Sequence, residues 1–127
     1  MRILGFSKKW DKLTNNTFTT FRFKRRDRDW EVGEIVKVFY KPRRKGGGEF
    51  FGTAKIVSKE QRAMAWHGDK TGLTKILNEE AIEDGFSDEG NKIAYFSMWE
   101  FLFDNYGGER LLNEPMNKLT LIWLSLP

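Results

Sequence analysis

Five short segments rich in β-branched and aromatic residues constrain the fold of this chain more than any other feature of its sequence. They are residues 2–6, 17–23, 35–39, 50–58 and 119–124. Such residues pack well on the pleated surface of a sheet, so each segment is predicted to be a strand. Asparagine, glycine, proline and charged residues separate most of them and indicate turns.

Two short helices are predicted in the second half of the chain. Asn78 is the expected N-cap of the first, which Gly85 should end. Ser97 and Glu100 have the spacing of a capping box, which predicts a second helix. Its apolar positions recur at helical spacing and should face the core: Met98, Trp99, Leu102 and Tyr106. The predicted class is α+β, a small β-barrel with two or three short helices packed against it.

The length and composition of the chain limit the possible functions. Its 127 residues predict a single domain, 1–127. There is no cysteine, which excludes disulfides and thiolate nucleophiles, and His67 is the only histidine, in a predicted loop. We therefore predict no metal site and no cofactor. No segment approaches the roughly 20 apolar residues of a membrane span, so we expect a cytoplasmic protein that does not contact membranes.

The charges of the chain are unevenly distributed. Residues 22–45 contain ten basic and four acidic side chains, whereas residues 78–114 contain ten acidic and two basic ones. The first segment could attract a polyanion, and the second could meet a basic protein partner. Solvated surface charge without any partner is the plain alternative for both.

The strand at residues 17–23 has phenylalanine on both faces. Phe18 alternates in phase with Thr20 and Arg22, whereas Phe21 lies in phase with Thr19. An exposed aromatic residue near the basic run could stack an unpaired base. Trp30 is the first choice because it directly follows that run; the other candidates are Trp10, Phe21 and Trp66.

Several separated pieces of the sequence together resemble the ASCH domain, a family with a PUA-like β-barrel. The pieces are TFTTFR, WEVGEIVKV, GTAKIVS, AIEDGF, FDNYG and the final apolar strand. The match covers nearly the whole chain, from about Trp10 to Leu124. The resemblance implies a closed barrel, a cleft between barrel and helices, and a role on RNA or nucleosides.

One branch of that family hydrolyses N4-acetylcytidine with a lysine, a threonine three residues later and a carboxylate. Carried over to this sequence, the threonine is Thr19 and the carboxylate Asp84, while Asn16 occupies the lysine position. Counting back from Arg22 instead gives Thr20 and Thr17. In either register the lysine would have to come from elsewhere, and Lys12 and Lys24 are the candidates.

The leading hypothesis is a binding module that holds RNA or a nucleotide in a basic cleft. Its expected contacts are Arg22, Lys24, Arg25, Arg26, Arg28, Trp30, Arg43, Arg44 and Lys45. The alternative is a hydrolase of the same fold, either a ribonuclease or an amidohydrolase, with Thr19 and Asp84 as catalytic residues. A protein-interaction domain that uses segment 78–114 is the third possibility.

Overall fold

The structure, a computed structural model, describes residues 1–42, 46–63 and 73–125. Within these residues the strands are β1 (Arg2–Phe6), β2 (Thr17–Arg22), β3 (Ile35–Tyr40), β4 (Glu49–Arg62) and β5 (Met116–Ser125). The helices are a 3₁₀ turn (Asp11–Thr14), α1 (Asn78–Glu83), α2 (Ala94–Tyr106) and α3 (Gly108–Asn113). The five predicted strands and the α+β class are confirmed, and β4 extends beyond its predicted end.

The five strands form one mixed sheet in the order β1-β3-β4-β5-β2. β1 and β3 are parallel, and the other neighbours are antiparallel. The sheet curls into a half-barrel rather than closing by a continuous ladder, since in the described residues β1 and β2 are its two edges. Arg22 crosses this gap, because its Nη2 donates to the carbonyl oxygen of Gly5 at 2.8 Å. We call the gap between β1 and β2 the seam.

Two clusters of buried side chains lie on opposite faces of β2. Phe18 belongs to the cluster inside the curled sheet, together with Val38 and Leu121. Phe21 belongs to the second cluster, between the sheet and the helices, where it joins Met98. The two-sided pattern of phenylalanines therefore reflects a strand with core on both faces. The predicted apolar positions of the second helix lie in or against that second cluster: Met98, Trp99, Leu102 and Tyr106.

Helix α2 begins at Ala94, four residues earlier than the capping-box spacing predicted. Its first two amides are bound by side chains from outside the helix: Asp88 Oδ1 accepts from Ala94 at 2.8 Å, and Asn78 Oδ1 accepts from Tyr95 at 2.8 Å. Ser97 lies inside the helix with a buried hydroxyl that has no hydrogen-bond partner. The predicted capping box is therefore wrong. No helix in the described part of the chain is long and apolar enough to cross a membrane.

Helix α1 ends at a glycine, as predicted, but its N-cap is Leu77, and the predicted cap Asn78 is its first helical residue. Asp84 follows its last turn, and Gly85 has a φ of +114°, which favours glycine. A Cβ at this position would lie 2.7 Å from the Trp10 ring. The close approach brings Asp84 against the 3₁₀ turn, where the candidate site is found.

Candidate functional site: a cavity at the seam that opens into a basic groove

A cavity of about 160 Å³ lies at the seam of the sheet. The end of β1, strand β2, the 3₁₀ turn, the end of α1 and one side of α2 form its walls. The polar lining side chains include Lys12, Thr20, Arg22, Asp84 and Asn105, and the aromatic ones Phe6, Trp10, Phe101 and Tyr106. Charged groups and aromatic rings thus enclose one space, an arrangement common in ligand sites.

A buried ion pair forms one wall of this cavity. Lys12 Nζ lies 2.9 Å from Asp84 Oδ1 and donates a second hydrogen bond to the carbonyl oxygen of Thr19 at 2.7 Å. The two side chains are only 6% and 11% exposed. Gly85 positions Asp84, and the 3₁₀ turn positions Lys12, so residues distant in sequence meet at one point.

Burial shifts the protonation of both partners towards their neutral forms. It lowers the pKa of Lys12, and the charge and hydrogen bond of Asp84 oppose this shift. Burial also raises the pKa of Asp84, against the opposing charge of Lys12 and its hydrogen bond. Both directions reduce the free-energy gap between the ion pair and a neutral pair with the proton on Asp84. Ionisable groups whose pKa values are shifted by burial and by a specific partner are common at functional sites.

Arg22 stands where the cavity meets the surface. Its Nε donates to Thr20 Oγ1 at 3.0 Å, its Nη2 bridges the seam, and its guanidinium lies 4.8 Å from the Phe6 ring. Burial lowers its pKa from a very high ordinary value, and an arginine remains charged under such a shift. No hydrogen bond or ion pair of Nη1 of this residue is seen within the described ranges. Arg22 therefore presents N–H donors to a ligand at the mouth of the cavity.

The threonine of the cavity is Thr20 and not Thr19. Thr20 and Arg22 alternate onto the same face of β2, and both line the cavity. The Thr19 hydroxyl is buried without a hydrogen-bond partner, and only its backbone oxygen reaches Lys12. The expected place of Thr19 in the cleft wall is thus taken by Thr20, the residue obtained by counting back from Arg22.

A larger open groove of about 1250 Å³ adjoins the cavity. The two spaces share lining residues, among them Arg22 and Tyr106. Seven cationic side chains line the groove against one carboxylate, that of Asp27. The cationic residues are Arg2, Arg22, Lys24, Arg25, Arg26, Lys41 and Arg110. A concave surface with this charge concentrates anions.

The predicted basic residues separate into three groups. Arg22, Lys24, Arg25 and Arg26 line the groove. Arg28 is exposed but pairs with Glu34 at 3.6 Å, outside the groove lining of the described chain. Residues 43–45, the predicted basic hairpin tip, lie outside the described residues, as do Trp66 and His67.

Trp30 is buried, which contradicts its predicted role as an exposed stacking platform. It is 3% exposed and belongs to the core inside the sheet. The guanidinium of Arg2 lies 4.4 Å from the ring centroid of Trp30, and that of Arg25 lies 5.4 Å away. The tryptophan therefore anchors the basic loop on the barrel, while Tyr106 is the half-buried aromatic shared by cavity and groove.

Sequence reasoning did not select three cations of the groove: Arg2, Lys41 and Arg110. Arg2 is occupied within the protein, because it donates to Glu34 and to the carbonyl oxygens of Arg28 and Asp29. Arg110 pairs with Glu114 at 2.7 Å and covers the Phe23 ring. Arg2 and Arg110 lie far from the basic run in the sequence, so no local pattern indicated that they would join it in the groove. Lys41, which directly precedes the predicted hairpin tip, could have been selected.

No family model matches this chain, and no curated protein and no solved structure does so either. The fold and the geometry of the seam therefore carry the functional argument. They combine a curled half-barrel, a small polar and aromatic cavity, and a basic groove outside it.

Proposed function

We propose that this protein is an RNA- or nucleotide-binding domain of the ASCH type, with a PUA-like barrel. The observation that carries this proposal is the continuity between the basic groove and the seam cavity through Arg22. The exposed side chains of Lys24, Arg25 and Arg26 would neutralise phosphates along the groove. Such contacts supply affinity without sequence preference.

The cavity would receive one group of the ligand. Its volume of about 160 Å³ lies below the roughly 300–1,000 Å³ of pockets that enclose whole small molecules. A single base or a terminal phosphate is of suitable size, with Arg22 at the entrance and aromatic rings around it. An unpaired nucleotide at the cavity, continued by a phosphate backbone in the groove, favours single-stranded over duplex RNA.

The test is a titration of labelled single-stranded RNA, duplex RNA and matching DNA at several salt concentrations. The double charge reversal Arg25→Glu/Arg26→Glu should weaken binding at least about tenfold and reduce the salt slope by about 0.7 for each lost phosphate contact to a single strand. Arg25 has one exposed ion pair, and Arg26 has no ion pair or hydrogen bond in the described ranges, so the fold should be retained.

A matched control makes the same change of net charge on the other side of the sheet. Lys37 and Lys55 are exposed on β3 and β4, and neither lines the cavity or the groove. Lys37→Glu/Lys55→Glu should leave most of the affinity intact. Equal losses in the two double variants would show a general charge effect and would count against the groove as the binding surface.

A hydrolase is the second candidate, and the contact between Lys12 and Asp84 favours it. This contact supplies a lysine beside the carboxylate, although Asn16 stands at the position implied by the family resemblance. In its neutral form, the Lys12 amine could accept the proton of an attacking hydroxyl, and Asp84 could return a proton to the leaving group. Thr20 and Ser7 are the aliphatic hydroxyl side chains in the described lining of the cavity, and Thr20 is the one that the family resemblance also offers.

Hydrolysis is tested on the same RNA with a denaturing gel and on N4-acetylcytidine by chromatography of the nucleosides. Cleavage or deacetylation that is lost in both Asp84→Asn and Lys12→Met, but kept in Lys37→Glu/Lys55→Glu, would support the enzyme. Intact substrates together with salt-dependent binding would support the binding module alone.

A further inference from the structure

The outer face of helix α2 carries an unusual number of aromatic side chains. Only four of its 13 residues, Ser97, Glu100, Asp104 and Asn105, are polar or charged. The buried side of the helix contacts the core through Met98 and Leu102. On the opposite side Phe96 is 52% exposed and Phe103 is 43% exposed. Helices that are apolar on both sides are normally covered on both sides.

These aromatic residues form a continuous strip. Phe96, Trp99 and Phe103 follow each other at spacings of three and four residues, which places them on one side of the helix. The rings of Trp99 and Phe103 are stacked, with centroids 5.1 Å apart and planes 27° apart. Aromatic side chains are enriched in the buried cores of protein interfaces, and tryptophan is often an energetic hot spot there. We name this strip the aromatic strip of α2.

Carboxylates border the aromatic strip. Glu100 and Asp104 are both exposed, and helical spacing places them on the row beside it. Across residues 78–114, eight exposed carboxylates face solvent, while Lys92 and Arg110 are already paired with Glu100 and Glu114. The segment that contains the strip is therefore negative overall, and Glu100 and Asp104 place part of that charge beside the strip.

We propose that the aromatic strip of α2 is a docking surface for a basic amphipathic helix of another protein. Apolar side chains of that helix would cover Phe96 and Phe103, and its lysines or arginines would meet Asp104 and share Glu100 with Lys92. A second copy of this chain joined through its own α2 would bring two negative surfaces together, which is unfavourable. The docking surface lies outside the basic groove, and binding of a protein partner there would be a function separate from binding of RNA.

The probe is a synthetic peptide of about 18 residues that contains only leucine and lysine in a helical amphipathic pattern. Its binding to the full chain is measured by calorimetry, and its position by NMR shifts of the α2 amides. Phe96→Ser/Phe103→Ser should reduce the affinity for the peptide at least about tenfold, and Glu100→Lys/Asp104→Lys should do the same. The affinity for RNA should stay unchanged in the aromatic variant.

Matched controls distinguish binding at the aromatic strip of α2 from non-specific hydrophobic binding. Phe50 is 51% exposed on β4, so Phe50→Ser removes an equally exposed ring elsewhere and should leave peptide binding intact. A peptide of the same composition with a scrambled pattern should bind at least about tenfold more weakly. Equal affinity of the scrambled peptide, or equal affinity of the strip variants and the wild type, would overturn the proposal. Concentration-dependent dimers in sedimentation that Phe96→Ser/Phe103→Ser abolishes would also overturn it, because the occupant would then be a second copy.

Discussion

Replacing either partner of the Lys12–Asp84 pair removes one charge and leaves the other without its counter-ion in the core. Both residues are buried, and breaking such a pair typically costs about 3–5 kcal/mol. We expect losses of this size in the free energy of unfolding for Lys12→Met and for Asp84→Leu, measured by urea denaturation. The double variant should recover much of the loss, since it leaves no uncompensated charge. If the loss in the double variant equals the sum of the losses in the two single variants, the two side chains do not interact.

Glu34 is predicted to make the protein more stable above pH 4.5 than below it. The hydrogen bond from Arg2 lowers the pKa of Glu34 from its ordinary value of 4.5. A folded-state pKa below the unfolded one gives stability that is present above the unfolded value and is lost as the pH falls through the folded value. Glu34→Gln should therefore be less stable than wild type at pH 7.

The difference between Glu34→Gln and wild type should narrow progressively below pH 4.5, as the wild-type carboxyl becomes protonated. Urea unfolding of both proteins at pH 7, 5, 4 and 3 measures this difference in the free energy of unfolding. A difference that stays constant over this range would show that the Arg2–Glu34 contact has no electrostatic part. Glu31→Gln, at an exposed acid near the same loop, is the control.

At the scale of single residues, the sequence predicted some side chains of the site correctly and others wrongly. Alternation along β2 predicted that Thr20 and Arg22 share one face of the strand, but it did not indicate which face meets the cleft. Trp30 was predicted to be exposed because of its charged neighbours in sequence, whereas its indole enters the core beneath the guanidinium of Arg2. Lys12 could only be a candidate, because the 3₁₀ turn and the end of α1 meet through tertiary packing.

The N-terminus of α2 gives a prediction at the scale of a structural element. Asp88→Ala removes the acceptor for the amide of Ala94 and should cost about 0.5–2 kcal/mol, as for other capping residues. Ser97→Ala should be neutral or slightly stabilising, because it removes a buried hydroxyl that has no partner. Urea unfolding of both variants compares the structural cap with the predicted one. A larger loss in Ser97→Ala would show that the helix starts where the sequence pattern placed it.

Strands were more predictable than helix ends in this chain. A strand is marked by its own β-branched and aromatic residues, so β1 to β5 were all located from local sequence. The start of α2 depends instead on Asn78, 17 residues before the amide that it binds. A cap contributed from such a distance leaves no local pattern, while the nearby S-x-x-E spacing gave a false one.

The seam gives a prediction at the scale of the whole molecule. The hydrogen bond from Arg22 to Gly5 joins the two edge strands there, beside the ring contact of Phe6 with Phe18. Arg22→Met should therefore lower the free energy of unfolding by about 1.5–3 kcal/mol, the usual contribution of a hydrogen bond to a charged group. Hydrogen exchange should become faster at the amides of β1 and stay unchanged in the centre of β4. Arg26→Met, a neighbouring exposed arginine, should change neither quantity.

The charge asymmetry of the sequence predicted the general electrostatic arrangement but not its geometry. Lys24, Arg25 and Arg26 line the groove as one continuous run, whereas Arg2 and Arg110 come from opposite ends of the chain. The sheet order that brings β1 close to β2 arises from pairings between distant strands, and no local signal encodes them. Resemblance predicted a closed barrel, and the seam is where the observed sheet departs from it.

The position of β5 in the sheet has a consequence for synthesis on the ribosome. β5 lies between β4 and β2 and pairs with both, so Phe18 meets Leu121 and Ile56 meets the same residue from the other side. Until nearly all of the described chain has been translated, β2 therefore has no strand partner and β4 has one edge unpaired. During that interval their edges are open to chaperones and to other nascent chains. Completion of this sheet must follow translation of β5 rather than accompany the emergence of the earlier strands.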